Sequence, residues 1–200
     1  MNPLTTVRGA LTTGFVASIL LALLIAPTTF HELGLARWLH IVTGITWIGL
    51  LYYFNLVQIP GLAAAAADKG GPGGAGISKY IAPTALLWFR WAAAATWFTG
   101  VWYLARSGNL GGAFTLGMMS DPVNYYQLVI GIGSWLGTIM LFNVWVLIWP
   151  NQKKVLGIVP ATDDEKAAAR KTAMLASRTN FVLSLPMLLC MGSATHGLPF

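Results

Sequence analysis

The chain has 200 residues, 56% of them hydrophobic and only 9% charged, with a formal net charge of +6. That is too little charge to cover the surface of a water-soluble fold of this size, so lipid is the expected solvent. The positive balance is no nucleic-acid footprint either, because no basic, aromatic-interleaved surface domain exists to hold one.

A spanning helix needs about 20 apolar residues, since irregular backbone cannot satisfy its polar groups in hydrocarbon. Five such segments follow one another, at about residues 11–30, 35–59, 80–105, 125–149 and 177–198. They predict an all-α integral membrane protein, a bundle of five transmembrane helices forming one polytopic domain over 1–200.

In the first segment Arg8 precedes the apolar stretch from Phe15 to Ala26, as in a signal peptide, but no clear small-residue cleavage site follows and a retained helix is expected. The second segment holds His40 and is followed by a low-complexity stretch, Gly61 to Gly76, that reads as a flexible linker. It lacks the Gly-Lys-Ser/Thr ending of a phosphate cradle. The third segment opens at Pro83, a favoured first-turn position, and carries Arg90 among Trp88, Phe89 and Trp91. After the fourth segment, Thr162-Asp163-Asp164-Glu165 has the spacing of a capping box. A helix starting there would run through Ala167, Ala168 and Ala169 into the fifth segment, its basic residues at anionic headgroups. Pro186 should kink that helix below Cys190, Met191 and His196. Cys190 is the only cysteine, so the chain forms no internal disulfide.

Cytoplasmic loops hold the excess of Lys and Arg. With five spans, Arg8, Lys69, Lys79, Lys153, Lys154, Lys166, Arg170, Lys171 and Arg178 fall on one side, against Arg37 and Arg106 on the other. The N-terminus and the loops 60–79 and 150–176 are therefore expected in the cytoplasm and the C-terminus outside, in a bacterial inner membrane, cytoplasmic or intracytoplasmic.

Ionisable residues inside a bundle are rare enough to count as functional candidates. His40 lies about one turn inside the external end of the second segment and His196 about half a turn from the external end of the fifth, so the two are expected at one depth. Small residues lie membrane-inward of each: Thr43 and Gly44 beside His40, Gly192 and Ser193 beside His196. Two imidazoles with that clearance suit bis-histidine ligation of a b-type haem, His40 and His196 being the axial ligands of the iron. The competing reading makes Gly44 and the Gly133 and Gly137 pair helix-packing surfaces, with His196 bonded to water at the interface. A copper site would draw on His196, Met191, Cys190, Met187, Met118 and Met119. It ranks below haem, because methionine is also an ordinary lipid-facing residue, and His31 reads as a loop histidine. All six acidic residues lie outside the apolar cores, so Arg90 either snorkels to the interface or neutralises an anion such as a haem propionate. Asn55, Asn143 and Asn180 fall near the cytoplasmic ends of their helices and predict a structural polar cluster between them.

Three blocks go beyond composition: Arg37-Trp-Leu-His-Ile-Val-Thr-Gly-Ile-Thr-Trp-Ile-Gly49, Asn143-Val-Trp-Val-Leu-Ile-Trp-Pro-Asn-Gln-Lys-Lys154, and Ser177-Arg-Thr-Asn-Phe-Val-Leu-Ser-Leu-Pro-Met187. Together they resemble the N-terminal membrane domain of bacterial membrane-bound urate oxidases. More distantly, a histidine near the start of a Trp-Ile-Gly helix is similar to membrane proteins of the copper-resistance D and protoporphyrinogen-oxidase type. The resemblance implies a redox domain passing electrons from a purine such as urate toward a cytochrome c, with His40 matching the histidine of the Trp-Leu-His motif. These 200 residues contain no Cys-x-x-Cys-His haem-attachment motif, and they hold fewer helices than that domain. The expected function is electron transfer by a membrane haem protein, with lipid and a cytochrome or a larger membrane complex as partners. Its rival is a cofactor-free structural or accessory subunit of such a complex.

Overall fold

The structure, a computed structural model, describes residues 2–26 and 30–199. The regular elements in them are helical: α1 (Val7–Ile25), α2 (Glu32–Ala67), α3 (Ala82–Arg106), the short α4 (Leu110–Phe114), α5 (Tyr125–Val155) and α6 (Asp163–Ser193). Of these, α1, α2, α5 and α6 are long and apolar enough to cross a membrane. The third expected segment corresponds to α3, which has 25 residues, but Arg90 and the polar edges of Trp88, Trp91, Trp97, Trp102 and Tyr103 lower its hydropathy.

The first 32 residues form a compact unit of their own. In it Thr6 caps α1, its hydroxyl oxygen accepting the Gly9 N–H at 3.0 Å, and none of the residues of α1 is buried.

In the second unit, α2 and α5 run through prolines at which the apolar segments were expected to end. A proline lacks the N–H of a regular turn, and its ring collides with the carbonyl four residues back. Here that carbonyl belongs to a wider, π-helical turn: Phe54–Gln58 precedes Pro60, and Asn143–Ile148 precedes Pro150. A third such turn, Ile77–Ile81, leads into α3, and Pro83 stands in the first turn of α3 as expected. The widened register moves each carbonyl off the ring and lets the helix continue. Part of the supposed linker is therefore helix as far as Ala67, where a run of alanines, the best helix formers, ends at Asp68.

At the start of α6 both bonds of the capping box form: Glu165 N–H donates to the Thr162 hydroxyl at 3.2 Å, and Thr162 N–H donates to the Glu165 carboxylate at 2.8 Å. The helix runs unbroken through Pro186. It stops at Ser193, short of the expected 198, because Gly197 takes a left-handed φ of +88° and donates its N–H back to the Ser193 carbonyl.

The core lies between α2, α3, α5 and α6. Trp47, Leu51 and Phe54 meet Leu86, Phe89, Ala92 and Ala93, while Met140, Val144 and Ile148 close the layer with Ala176 and Met187. A Cβ on Gly133 would stand 3.1 Å from the Cys190 Cβ, so α5 and α6 approach closely only because that residue is glycine. Below this contact runs a polar seam. Asn180, fully buried, accepts from Asn143 Nδ2 at 2.8 Å and donates to the Met140 carbonyl at 2.9 Å. Asn55 donates to the Ser177 hydroxyl at 3.0 Å, and the Tyr52 hydroxyl donates at 3.2 Å to Ser184, whose own hydrogen goes to the Phe181 carbonyl at 2.7 Å. These bonds realise the cluster expected of the three asparagines and tie α2 and α5 to α6 where no water could substitute. At the opposite end, α4 folds back on α5, its Phe114 carbonyl accepting the Trp135 indole N–H at 3.2 Å.

Candidate cofactor site

His40 is held on α3 by one short bond. Its Nδ1 lies 2.7 Å from the Thr96 carbonyl oxygen, which can only accept, so Nδ1 carries the hydrogen. In the neutral ring Nε2 then keeps its lone pair, as an imidazole must to bind a metal. The Thr99 hydroxyl stands 3.5 Å from Nδ1 but is already donated to the Ala95 carbonyl at 2.7 Å. The seat exists because α3 is small there: Thr96, Thr99 and Gly100 share one face at i, i+3 and i+4. A Cβ on Gly100 would come within 2.9 Å of His40 Cε1 and 3.0 Å of Nδ1.

Gly44 and Trp47 continue the face of α2 that His40 begins, at i+4 and i+7. A Cβ on Gly44 would lie 3.6 Å from the Thr96 methyl, so this glycine meets α3 in ordinary packing contact. Trp47 is 2% exposed, and its indole Nε1 has no hydrogen-bond partner among the described residues. One face of α2 thus carries an imidazole with a free lone pair, a glycine, and an orphaned N–H donor in the core.

His196 departs from expectation. It lies in the turn beyond Ser193, exposed, with its backbone N–H on the Ser193 carbonyl at 3.2 Å. His40 by contrast lies within α2, about 12 Å along it from Glu32 at ~1.5 Å per residue, whereas His196 lies beyond the last residue of α6. The glycine that ends α6 is the reason. Gly192, on the last turn of α6, faces open space.

Arg90 is half-buried, and its guanidinium lies over the Trp149 ring of α5, 3.8 Å from the centroid. Of its sequence neighbours Phe89 is buried in the core, while Trp88 and Trp91 are exposed. Thr96 and Gly100, which seat His40, lie about 9–15 Å farther along α3. The soft donors are dispersed: Cys190 and Met191 pack on Gly133, Met187 is in the core, and Met118 and Met119 are exposed on the loop after α4. Among the described residues no group of three or more His, Cys, Asp or Glu side chains is placed to hold a metal ion. His31 is exposed ahead of α2.

Sequence reasoning singled out His40, Gly44 and Arg90 but not the residues they touch. Thr96, Gly100 and Trp149 are partners by tertiary contact, and the only signal was the small-residue face Thr96-x-x-Thr-Gly100 on α3. No curated protein and no solved structure matches the chain. Residues 124–200, which comprise α5, α6 and the loop between them, match the family described as Urate oxidase N-terminal. The match takes in the second and third of the three resembling blocks, with Asn143, Asn180 and His196, and stops short of His40, Gly44 and Arg90. This part of the chain is thus similar to the N-terminal membrane domain of urate oxidases.

Proposed function

We propose that the chain is a membrane redox domain that takes a b-type haem at the external end of its bundle, with His40 as axial ligand. The observation that carries this reading is the 2.7 Å bond from His40 Nδ1 to the Thr96 carbonyl. It fixes the tautomer, orients the ring and makes Nε2 more basic, as outer partners of metal-bound histidines do. The donor set suits the group on that side, since the unpaired Trp47 N–H on the same face of α2 is a buried donor awaiting an acceptor. His196, at the same end of the bundle, would reach the second axial position from its turn, and Gly192 leaves space on the last turn of α6. Bound haem would supply a one-electron carrier, consistent with the family resemblance.

The chain crosses a bacterial inner membrane five times in this proposal, with its N-terminus in the cytoplasm. Supporting this, α3 buries Leu86, Phe89, Ala92, Ala93 and Thr96 beside helices that are themselves apolar enough to span, which favours a path through the same layer. The Lys and Arg asymmetry then sets the direction. A topology reporter fused after Gly70 should be active in the cytoplasm, and external activity would overturn the orientation.

Protein purified from its native membrane under mild conditions should show a b-type optical spectrum. His40→Ala should abolish it, and His196→Ala should convert a six-coordinate signal to a five-coordinate one. A second reading, a cofactor-free accessory subunit of a membrane complex, is favoured by the close fit of His40 on Gly100 and of Gly44 on Thr96. Colourless protein retaining its fold would establish it in place of the first.

A further inference from the structure

The end of the bundle that carries the Lys and Arg excess holds a cluster unused by the redox reading. Arg90 of α3 covers the Trp149 ring at 3.8 Å, and Lys153, one turn on in α5, brings its ammonium within 5.9 Å of the same centroid. Two half-buried cations thus converge on one indole, no more than about 10 Å apart, or about one Debye length. A ring face attracts each of them but neutralises neither. The nearby carboxylates are committed elsewhere: Asp163 lies 3.6 Å from Lys166, and Glu165 acts on Lys154. Among the described residues no carboxylate is paired with Arg90 or Lys153. The repulsion between the two is relieved if an anion sits between them, and Arg offers a fork of donors that matches phosphate oxygens.

The depth identifies the source of that anion. Lys153, which shares the Trp149 ring with Arg90, stands two residues from the end of α5 at Val155, so the cluster lies at the end of a spanning helix, where headgroups begin. Trp88 and Trp91 flank it, 50% and 58% exposed, and Trp91 packs edge-on against Trp145 with centroids 5.3 Å apart. Exposed indoles on a spanning helix mark the headgroup level. A basic notch between spanning helices at that level suits an anionic lipid.

We propose that Arg90 and Lys153, with Trp149 as the floor between them, bind the phosphate of an anionic membrane lipid between α3 and α5. The test is the thermal midpoint of the whole chain in nanodiscs of phosphatidylglycerol against phosphatidylcholine. The wild type should be several degrees more stable in phosphatidylglycerol and should retain about one labelled phosphatidylglycerol per chain through detergent exchange. Arg90→Gln with Lys153→Gln should lose most of both effects, whereas Arg170→Gln with Lys171→Gln, which removes the same charge from α6, should keep them. Lys153→Gln alone, at a partly exposed side chain, tests the site should the double variant fail to fold. Equal losses in the α6 control would reduce the effect to general attraction and overturn the site. Stabilisation of the phosphatidylcholine sample by inorganic phosphate, with no lipid retained, would overturn the lipid as its occupant.

Discussion

Adding one methyl group at Gly100 tests whether His40 is seated as described. In Gly100→Ala the new Cβ would stand 2.9 Å from His40 Cε1 and 3.0 Å from Nδ1, where ordinary contact begins at 3.4 Å. The ring must retreat by about 0.5 Å, and it cannot do so freely, because its Nδ1–H is held at 2.7 Å by the Thr96 carbonyl. Overpacking of this kind costs about 1–3 kcal/mol. Replacing a helical glycine by alanine returns about 1 kcal/mol, so the net destabilisation of the single variant is small. A double-mutant cycle separates the two effects. In a His40→Ala background the methyl meets no ring, only the helix-propensity gain remains, and Gly100→Ala should become stabilising. The expected interaction energy between the two sites is about 1–3 kcal/mol, read from unfolding in detergent micelles. If Gly100→Ala has the same effect in both backgrounds, within about 0.5 kcal/mol, the imidazole does not rest on Gly100 and the tautomer argument fails with it.

Two further outcomes follow from the polar contacts. Asn180→Leu strips the buried Asn143 amide of its acceptor and should cost about 1–3 kcal/mol in the same unfolding assay, whereas Asn143→Leu with Asn180→Leu, which leaves no orphan, should cost less than the single change. The first turn of α6 should depend on acid: the Thr162 backbone N–H, chiefly, holds the exposed Glu165 carboxyl below its ordinary value. A depressed carboxyl contributes stability that is present above its unfolded pKa and lost as pH falls through the folded one, so the protection factors of amides at the start of α6, corrected for intrinsic exchange, should fall below about pH 4 and stay level between pH 6 and 8.

What the sequence made legible was whatever depends on short range. The capping box is a spacing of three residues and formed as read; Asn143 paired with Asn180, and Asn55 reached Ser177, because amides in hydrocarbon have few other options. The segment ends expected at 59 and 149 fell short, just ahead of Pro60 and Pro150, where a proline ring collides with the preceding turn of a regular helix. A π-helical turn removes the steric reason for stopping, but the packing that makes the longer helix worthwhile, such as Phe54 against Phe89 at 5.4 Å, is tertiary. His196 misled in the other direction. Apolarity continues to Leu198, yet Gly197 needs a left-handed backbone to close α6, and apolarity carries no record of that.

The site was half legible for the same reason. A histidine in an apolar segment announces itself, but its partner is a backbone carbonyl, and every residue has one. That bond also explains why His40 belongs to two readings. A structural cross-link between α2 and α3 needs only Nδ1–H and the Thr96 carbonyl, and it is complete without Nε2. The Trp47 N–H is what the cross-link leaves over: a buried donor costs about 1–3 kcal/mol when unpaired, so a bundle built only for packing would gain by placing phenylalanine or leucine there. That N–H, on the same face of α2 as the His40 Nε2 lone pair, is the donor that the proposed group would have to satisfy.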